Sequence, residues 1–374
     1  MKTLRLLAIS AIILLAAGAA SPAHATDLLK PNGLSFEAGK IQEKDGRSDL
    51  FFASLIPQFS IGGLTAVINV NYIADREFKI RDAGRDFIVV DSVQYKHNDK
   101  FKFYYGEIKN LTFGSGFIVS NYRSDIRGNV PLNRQRGIEL DLKSDDSYIK
   151  AFGTRSDLFG VRGVRTLGAF RLGATAISDA DPDFEEIGID IETNFKREWV
   201  KFYAESAKII DYGDGVALGV VASPVKKFSA KAELRDFSSD FVPSIVDEHY
   251  EAGSPFLKLT NTGRTYGLYT SMDFFPGGEY SLGLTHESYE DHQPRTTIKA
   301  RGKITPRLSG DIFYAQENFV PKNGWIKPKN SVARGILTFK LNNKADLILD
   351  YYRAYDDSLN KQDSLTFKTR IKLF

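Results

Sequence analysis

From about residue 33 onward the chain alternates apolar and polar side chains with a period of two, in segments of about 8 to 13 residues divided by turn clusters. That period belongs to a strand, whose successive side chains point to opposite faces. Leu64, Ala66, Ile68, Val70 and Tyr72 share one side of their segment, with Thr65, Asn69 and Asn71 on the other. Phe228, Ala230, Ala232 and Leu234 alternate with Ser229, Lys231, Glu233 and Arg235. In the last segment Leu365, Phe367, Thr369, Ile371 and Leu373 interleave with Ser364, Thr366, Lys368, Arg370 and Lys372. Phe87 to Val90 and Val216 to Ala222 are apolar on both faces, so the pattern leaves their register unset.

The connections alternate in length. Nine short turns are predicted at every second junction: Gly62-Gly63, Asn98-Asp99, Ser144 to Asp146, Thr166 to Gly168, Phe195 to Glu198, Pro224 to Lys227, Pro276 to Gly278, Thr305 to Arg307 and Asn342 to Lys344. The junctions between them are more variable and often longer, at 76–83, 113–135, 179–185, 239–263, 320–330 and 357–363. This rhythm predicts an all-β fold: a transmembrane antiparallel up-and-down β-barrel of about 20 strands, within a range of about 16 to 22. In lipid the apolar face points outward and the charged face inward, because a Lys or Arg at the lipid midplane costs roughly 2 to 4 kcal/mol. A one-residue slip of the last strand would turn Lys368, Arg370 and Lys372 into lipid. Tyr72, Tyr95, Phe101, Phe228, Tyr280, Tyr314 and Tyr351 share the apolar parity and lie toward strand ends, where interfacial aromatic girdles form.

Composition narrows the reading. The chain has 374 residues and no cysteine, which removes disulfides, thiolate metal sites and Cys nucleophiles. Lys2 and Arg5, the apolar run from Leu6 to Ala20 and the small-x-small site Ala23-His24-Ala25 predict a secretory signal peptide over residues 1–25, removed before Thr26. The expected mature chain, 26–374, is a single barrel domain. Taking Lys2 and Arg5 from the 50 basic residues leaves 48 against 47 acidic ones, so the charge gives no case for nucleic acid.

Signal peptide, cysteine-free mature chain, amphipathic strands throughout and carboxy-terminal Phe374 together resemble Gram-negative outer-membrane porins. The resemblance is architectural and covers about residues 33–374. It implies an outer-membrane location reached through the periplasm, insertion by the barrel assembly machinery, contact with lipid and lipopolysaccharide, and passage of small polar solutes. The chain departs from the family's terminal pattern, since Lys372, Arg370 and Lys368 occupy the alternate positions counted back from Phe374. Only about seven residues separate Thr26 from the first strand, too few for the amino-terminal plug of energy-coupled transporters. Identical copies could associate through apolar outer faces that look alike in sequence.

In porins the third loop commonly enters the lumen, and here the matching connection is 113–135, FGSGFIVSNYRSDIRGNVPLNRQ. Phe117, Ile118, Val119 and Tyr122 would pack on the wall, and Arg123, Asp125, Arg127 and Arg134 become candidates for the pore constriction. An outer loop with a local apolar patch is the rival placement. Gly114-Ser115-Gly116 lacks the context of a dinucleotide fingerprint and reads as loop flexibility. Polar parity nominates Lys102, Glu139, Asp141, Lys150, Lys201, Arg235, Arg301 and Arg370 as lumen lining, with Lys100, Glu205, Lys231, Lys299, Lys303 and Lys368 beside them. Bases outnumber acids in that set, which predicts a weak preference for anionic or neutral solutes.

Two other classes compete. A structural or adhesive surface barrel would present loops 113–135 and 239–263 outward. A hydrolase is suggested by Gly283-Leu284-Thr285-His286-Glu287-Ser288, which is similar to part of the outer-membrane phospholipase A motif. Tyr289-Glu290 stands where that family has Asn-Gly, and Arg295 to Ile304 offers no Asn to orient the His, so no enzyme is expected. The acidic loop Asp179, Asp181, Asp183, Glu185 and Glu186 lacks ordered ligand spacing; no metal or cofactor is expected.

Overall fold

The computed structural model describes residues 33–42, 49–74, 88–124, 136–180, 183–193, 199–238, 240–247, 250, 263–274, 279–290, 293–317, 331–355 and 361–373. The predicted signal peptide, Phe374, and the site candidates Asp125, Arg127 and Arg134 lie outside them.

The strands are β1 (Gly33–Gln42), β2 (Asp49–Ile61), β3 (Leu64–Ala74), β4 (Ile88–His97), β5 (Phe101–Gly106), β6 (Val119–Ser120), β7 (Gly137–Lys143), β8 (Ser147–Thr154), β9 (Leu158–Leu167), β10 (Phe170–Ala180), β11 (Asp183–Thr193), β12 (Val200–Ile209), β13 (Asp214–Val225), β14 (Phe228–Phe237), β15 (Val246–Asp247), β16 (Thr265–Phe274), β17 (Ser281–Tyr289), β18 (Arg295–Lys303), β19 (Leu308–Glu317), β20 (Ser331–Lys340), β21 (Ala345–Tyr355) and β22 (Lys361–Lys372). Apart from the two-residue β6 and β15, they form one 20-stranded sheet in which each strand pairs antiparallel with its neighbours in the chain. The sheet closes where β1 meets β22, from Ser35↔Lys372 to Gln42↔Leu365. Glu37 reinforces this seam by holding Arg370 at 2.5 Å and Lys368 at 3.4 Å.

The predicted rhythm of turns is present at β2–β3, β4–β5, β7–β8, β9–β10, β13–β14, β18–β19 and β20–β21, each closed within a few residues; the turns expected at 195–198 and 276–278 lie outside the described residues. Gly62 and Asn98 take positive φ in two of these turns. The connection expected over 179–185 is shorter, because β10 and β11 extend until only 181–182 separates them. Continued pairing there, down to Ala180↔Asp183, satisfies backbone groups that a loop would leave to water.

Register sorts the side chains into two faces. Ile189 and Leu234 point out and are 68% and 66% exposed, with Leu172, Ile187, Leu218, Met272 and Leu284 on the same surface. Among the described strand residues, acidic and basic side chains at outward positions are Lys40, Arg165, Glu185, Lys208, Asp214, Asp236, Arg353, Lys361 and Asp363, each within two positions of a strand end. The middle of the outer wall is therefore a belt without fixed charge. Tyr95 and Phe101 meet at 5.9 Å on its turn-side margin, and the Tyr280 ring covers Gly302.

Ile336 and Leu337 sit next to each other in mid β20, facing in and out. In lipid vesicles, Leu337→Lys is expected to destabilise the folded barrel by about 2–4 kcal/mol in urea titrations, and Ile336→Lys to change it little. Equal losses from the two would contradict the assigned faces.

Candidate functional site

Among the described residues, the largest buried apolar cluster lies inside the barrel. Between β5 and β7 the chain turns inward as a short hairpin: Leu111 and Tyr122 exchange backbone hydrogen bonds of 3.1 and 2.8 Å, and Phe113 N–H donates to the Val119 carbonyl at 3.0 Å. Ile108, Leu111, Phe113, Phe117, Ile118, Val119 and Tyr122 are essentially unexposed. They pack on inward residues of β8 to β14, including Phe152, Leu158, Ile177, Phe184, Ile209 and Phe237. Burying each such side chain away from lumenal water contributes about 1.5–3 kcal/mol.

Glycines in the wall make the room. A Cβ on Gly137 would strike Ile108, one on Gly188 would strike Ile118, and one on Gly215 would strike both Phe241 and Phe117, all at 3.0 Å or less. These inward glycines are holes that receive the hairpin's side chains, the close approach for which glycine within a strand is used.

A second inward segment, which the sequence reading did not find, follows β14. Phe241, Ile245 and Val246 join the same cluster, with Phe241 5.2 Å from Phe117. The two segments pair as parallel β6 and β15, Val119 with Val246 and Ser120 with Asp247. Ser244 fixes the junction, donating its N–H to the Phe117 carbonyl at 2.6 Å and its hydroxyl to the Gly116 carbonyl at 2.7 Å.

Gly114-Ser115-Gly116 forms the hairpin tip and is held, which corrects its reading as flexible. Gly114 and Gly116 take φ of 58° and 93°, where a side chain would be strained. Ser115 donates its backbone N–H to Glu205 at 3.1 Å, its hydroxyl bonds the same carboxylate, and its carbonyl accepts from Lys231. Charged groups of opposite sign extend from there round the wall. Arg162 bridges Asp190 through two bonds of 2.6 and 2.8 Å. Lys231 lies 2.8 Å from Glu233, which Arg235 also grips at 3.0 and 2.7 Å. Arg235 donates onward to the Tyr289 hydroxyl at 2.8 Å, and its guanidinium carbon lies over the Tyr269 ring, 4.1 Å from the centroid.

Not every candidate from the sequence lines open space. Lys102, Glu139, Asp141, Lys150, Lys201, Arg301 and Arg370 face inward in the register, with Lys150 3.6 Å from Glu139 and Arg301 2.5 Å from Asp311. Arg235 also faces inward but is 1% exposed, so its place among the lumen-lining residues is corrected: the inserted segments cover it. Glu205 is buried for the same reason. Arg123 follows Tyr122 at the base of the hairpin and is partly exposed.

Where the inserted segments face β16, β17 and β18 a small polar recess remains, open to the lumen. Ser120, Asn121, Ser244 and Asp247 border it from the segments, and Tyr269, Thr285, Glu287, Arg295, Thr297 and Lys299 from the wall. Arg295 reaches across to Asp247 at 2.9 Å. Alternation in β17 and β18 nominated only Lys299 of this set; Asp247 arrives through a loop fold that periodicity does not encode.

No family model and no curated protein matches this sequence. Among solved structures, the outer membrane protein OpdK of Pseudomonas aeruginosa is 10% identical, aligning 91% of this chain with 98% of its own at a TM-score of 0.41. The FrpB iron transporter of Neisseria meningitidis is 9% identical, aligning 93% of this chain with 83% of its own at 0.42. Likeness at this level says nothing of what this chain carries.

Filling the wall holes tests the docking. Gly188→Leu and Gly215→Val should expel the hairpin and speed trypsin cleavage after Arg123 in an otherwise intact barrel. Gly335→Ala, where nothing lies within 4 Å, should leave cleavage unchanged. Unchanged cleavage in the first two would contradict the packing described.

Proposed function

We propose that the protein is an outer-membrane porin, a passive channel for small polar solutes whose bore is set by two inserted loops. The observation that carries this reading is the polar recess left between the inserted segments and β16–β18, inside a closed wall whose outer belt holds no fixed charge. Closure satisfies the backbone in lipid, and the inward polar face keeps solutes hydrated on their way through. No covalent step is required. On this reading the outer belt meets lipid and lipopolysaccharide after insertion by the barrel assembly machinery, and self-association would use that same belt.

Charge selectivity is weaker here than a count of inward bases implies. Arg301, Arg370 and Lys150 each lie within 4 Å of a carboxylate, and Arg235 is covered. Arg123, Asp125, Arg127 and Arg134 keep the part of constriction residues in this proposal, alongside the recess.

The adhesive alternative places both long loops outside, whereas Phe113, Phe117, Ile118, Tyr122, Phe241, Ile245 and Val246 of those connections are buried within the barrel. For the hydrolase alternative, His286 and Ser288 share the outer face, but the His286 Nδ1 lies 3.0 Å from the Thr296 hydroxyl, which supplies no carboxylate or amide to orient it.

Purified protein in planar bilayers should give discrete, ohmic conductance steps, and Gly188→Leu should enlarge each step by freeing the lumen. Phospholipid hydrolysis should be absent with or without His286→Ala. A wild-type barrel that folds but passes no current would overturn the channel reading.

A further inference from the structure

The recess holds two carboxylates, Asp247 and Glu287, and two cations, Arg295 and Lys299. They are arranged to cancel. Arg295 donates to Asp247 at 2.9 Å and lies 4.0 Å from Glu287. Glu287 also stands 3.6 Å from Arg235, whose charge is met by Glu233 at 2.7 Å. Fixed charges thus alternate along this side of the passage and leave little net field where a solute would sit. The partly exposed neutral lining groups include hydroxyls and an amide, Thr285, Ser120 and Asn121.

Two kinds of solute fare differently there. An ion entering the recess sheds part of its hydration and finds Asp247, Glu287 and Arg295 already engaged with one another and Lys299 in the field of Asp273 on β16, so its desolvation is not returned. A neutral solute rich in hydroxyls exchanges its water contacts for those of Thr285, Ser120 and Asn121 nearly one for one. Taking the channel reading as given, we propose that this recess is a selectivity site for neutral polyhydroxylated solutes of sugar or polyol type, and that the Asp247–Arg295 pair keeps it neutral. The pair joins an inserted loop to the wall, so it also fixes the width across which such a solute is held.

The test uses the full barrel in proteoliposomes and planar bilayers, each variant first checked for heat-modifiable mobility in detergent. Wild type should swell faster in arabinose than in iso-osmotic sodium arabinonate by about fivefold, the value of one net hydrogen bond. Its reversal potential in a KCl gradient should lie near zero. Asp247→Asn removes one of the two negative charges of the recess and should shift that potential toward anion selectivity while raising arabinonate flux. Arg295→Gln should shift it toward cation selectivity. Thr285→Val should slow arabinose entry and leave the reversal potential in place. Faster swelling of wild type in arabinonate, or reversal potentials that move the same way or not at all in the two charge variants, would overturn this inference and leave the channel standing. Absence of both ion and arabinose flux in folded wild type would overturn the channel reading beneath it.

Discussion

The structure depends on closing the hydrogen-bond ladder between its first and last strands. A sheet that meets lipid has no water to satisfy an open edge, and each unpaired backbone group there costs several kcal/mol. β1 and β22 remove both edges at once, with Glu37 joined to Arg370 and Lys368 on the inner side of the seam. The sorting of side chains follows from that closure. Once the wall is a closed surface with a side-chain period of two, one parity must face outward everywhere, and placing Lys368, Arg370 and Lys372 inward sets the last strand's register.

Closure also creates a second problem, a wide lumen bounded by residues that need partners. On the side of β8 to β14 the inward face carries Phe152, Leu158, Ile177 and Phe184, which water would solvate poorly. The inserted hairpin and its parallel partner segment cover that surface and are anchored by the charges beneath them, Glu205 and Lys231 at the Ser115 tip. What remains open is the opposite side of the segments, where polar groups predominate. The narrowing is in this sense a by-product of covering an apolar inner face, and wall glycines determine how close the covering lies.

The wall was legible in the sequence because its determinants are local: alternation gave the faces of β3, β14 and β22, and Gly, Asn, Asp and Pro marked the tight turns. The apolar stretch Phe117 to Val119 in a polar loop pointed toward burial for a similarly local reason. The second inserted segment carried a comparable signal in Phe241, Ile245 and Val246, but its meaning depends on Val119, more than a hundred residues earlier in the chain. Gly137, Gly188 and Gly215 look like interruptions until the side chains that fill them are known. Parity told which way Arg235 and Glu205 point without telling what covers them, and so made water-facing residues of buried ones.

The central claim is the opposite environment of adjacent side chains in one strand, and the absence of cysteine makes it directly measurable. Leu284 and Thr285 are neighbours in β17, the first on the outer belt and the second on the recess. Single-cysteine variants at the two positions, refolded in vesicles, would be probed with a membrane-impermeant thiol reagent and, after fluorophore attachment, with bromine-bearing lipid chains as quencher. The account predicts rapid aqueous labelling and little quenching at position 285, with slow labelling and strong quenching at position 284. The reverse pattern, or equal aqueous labelling at both positions, would contradict it.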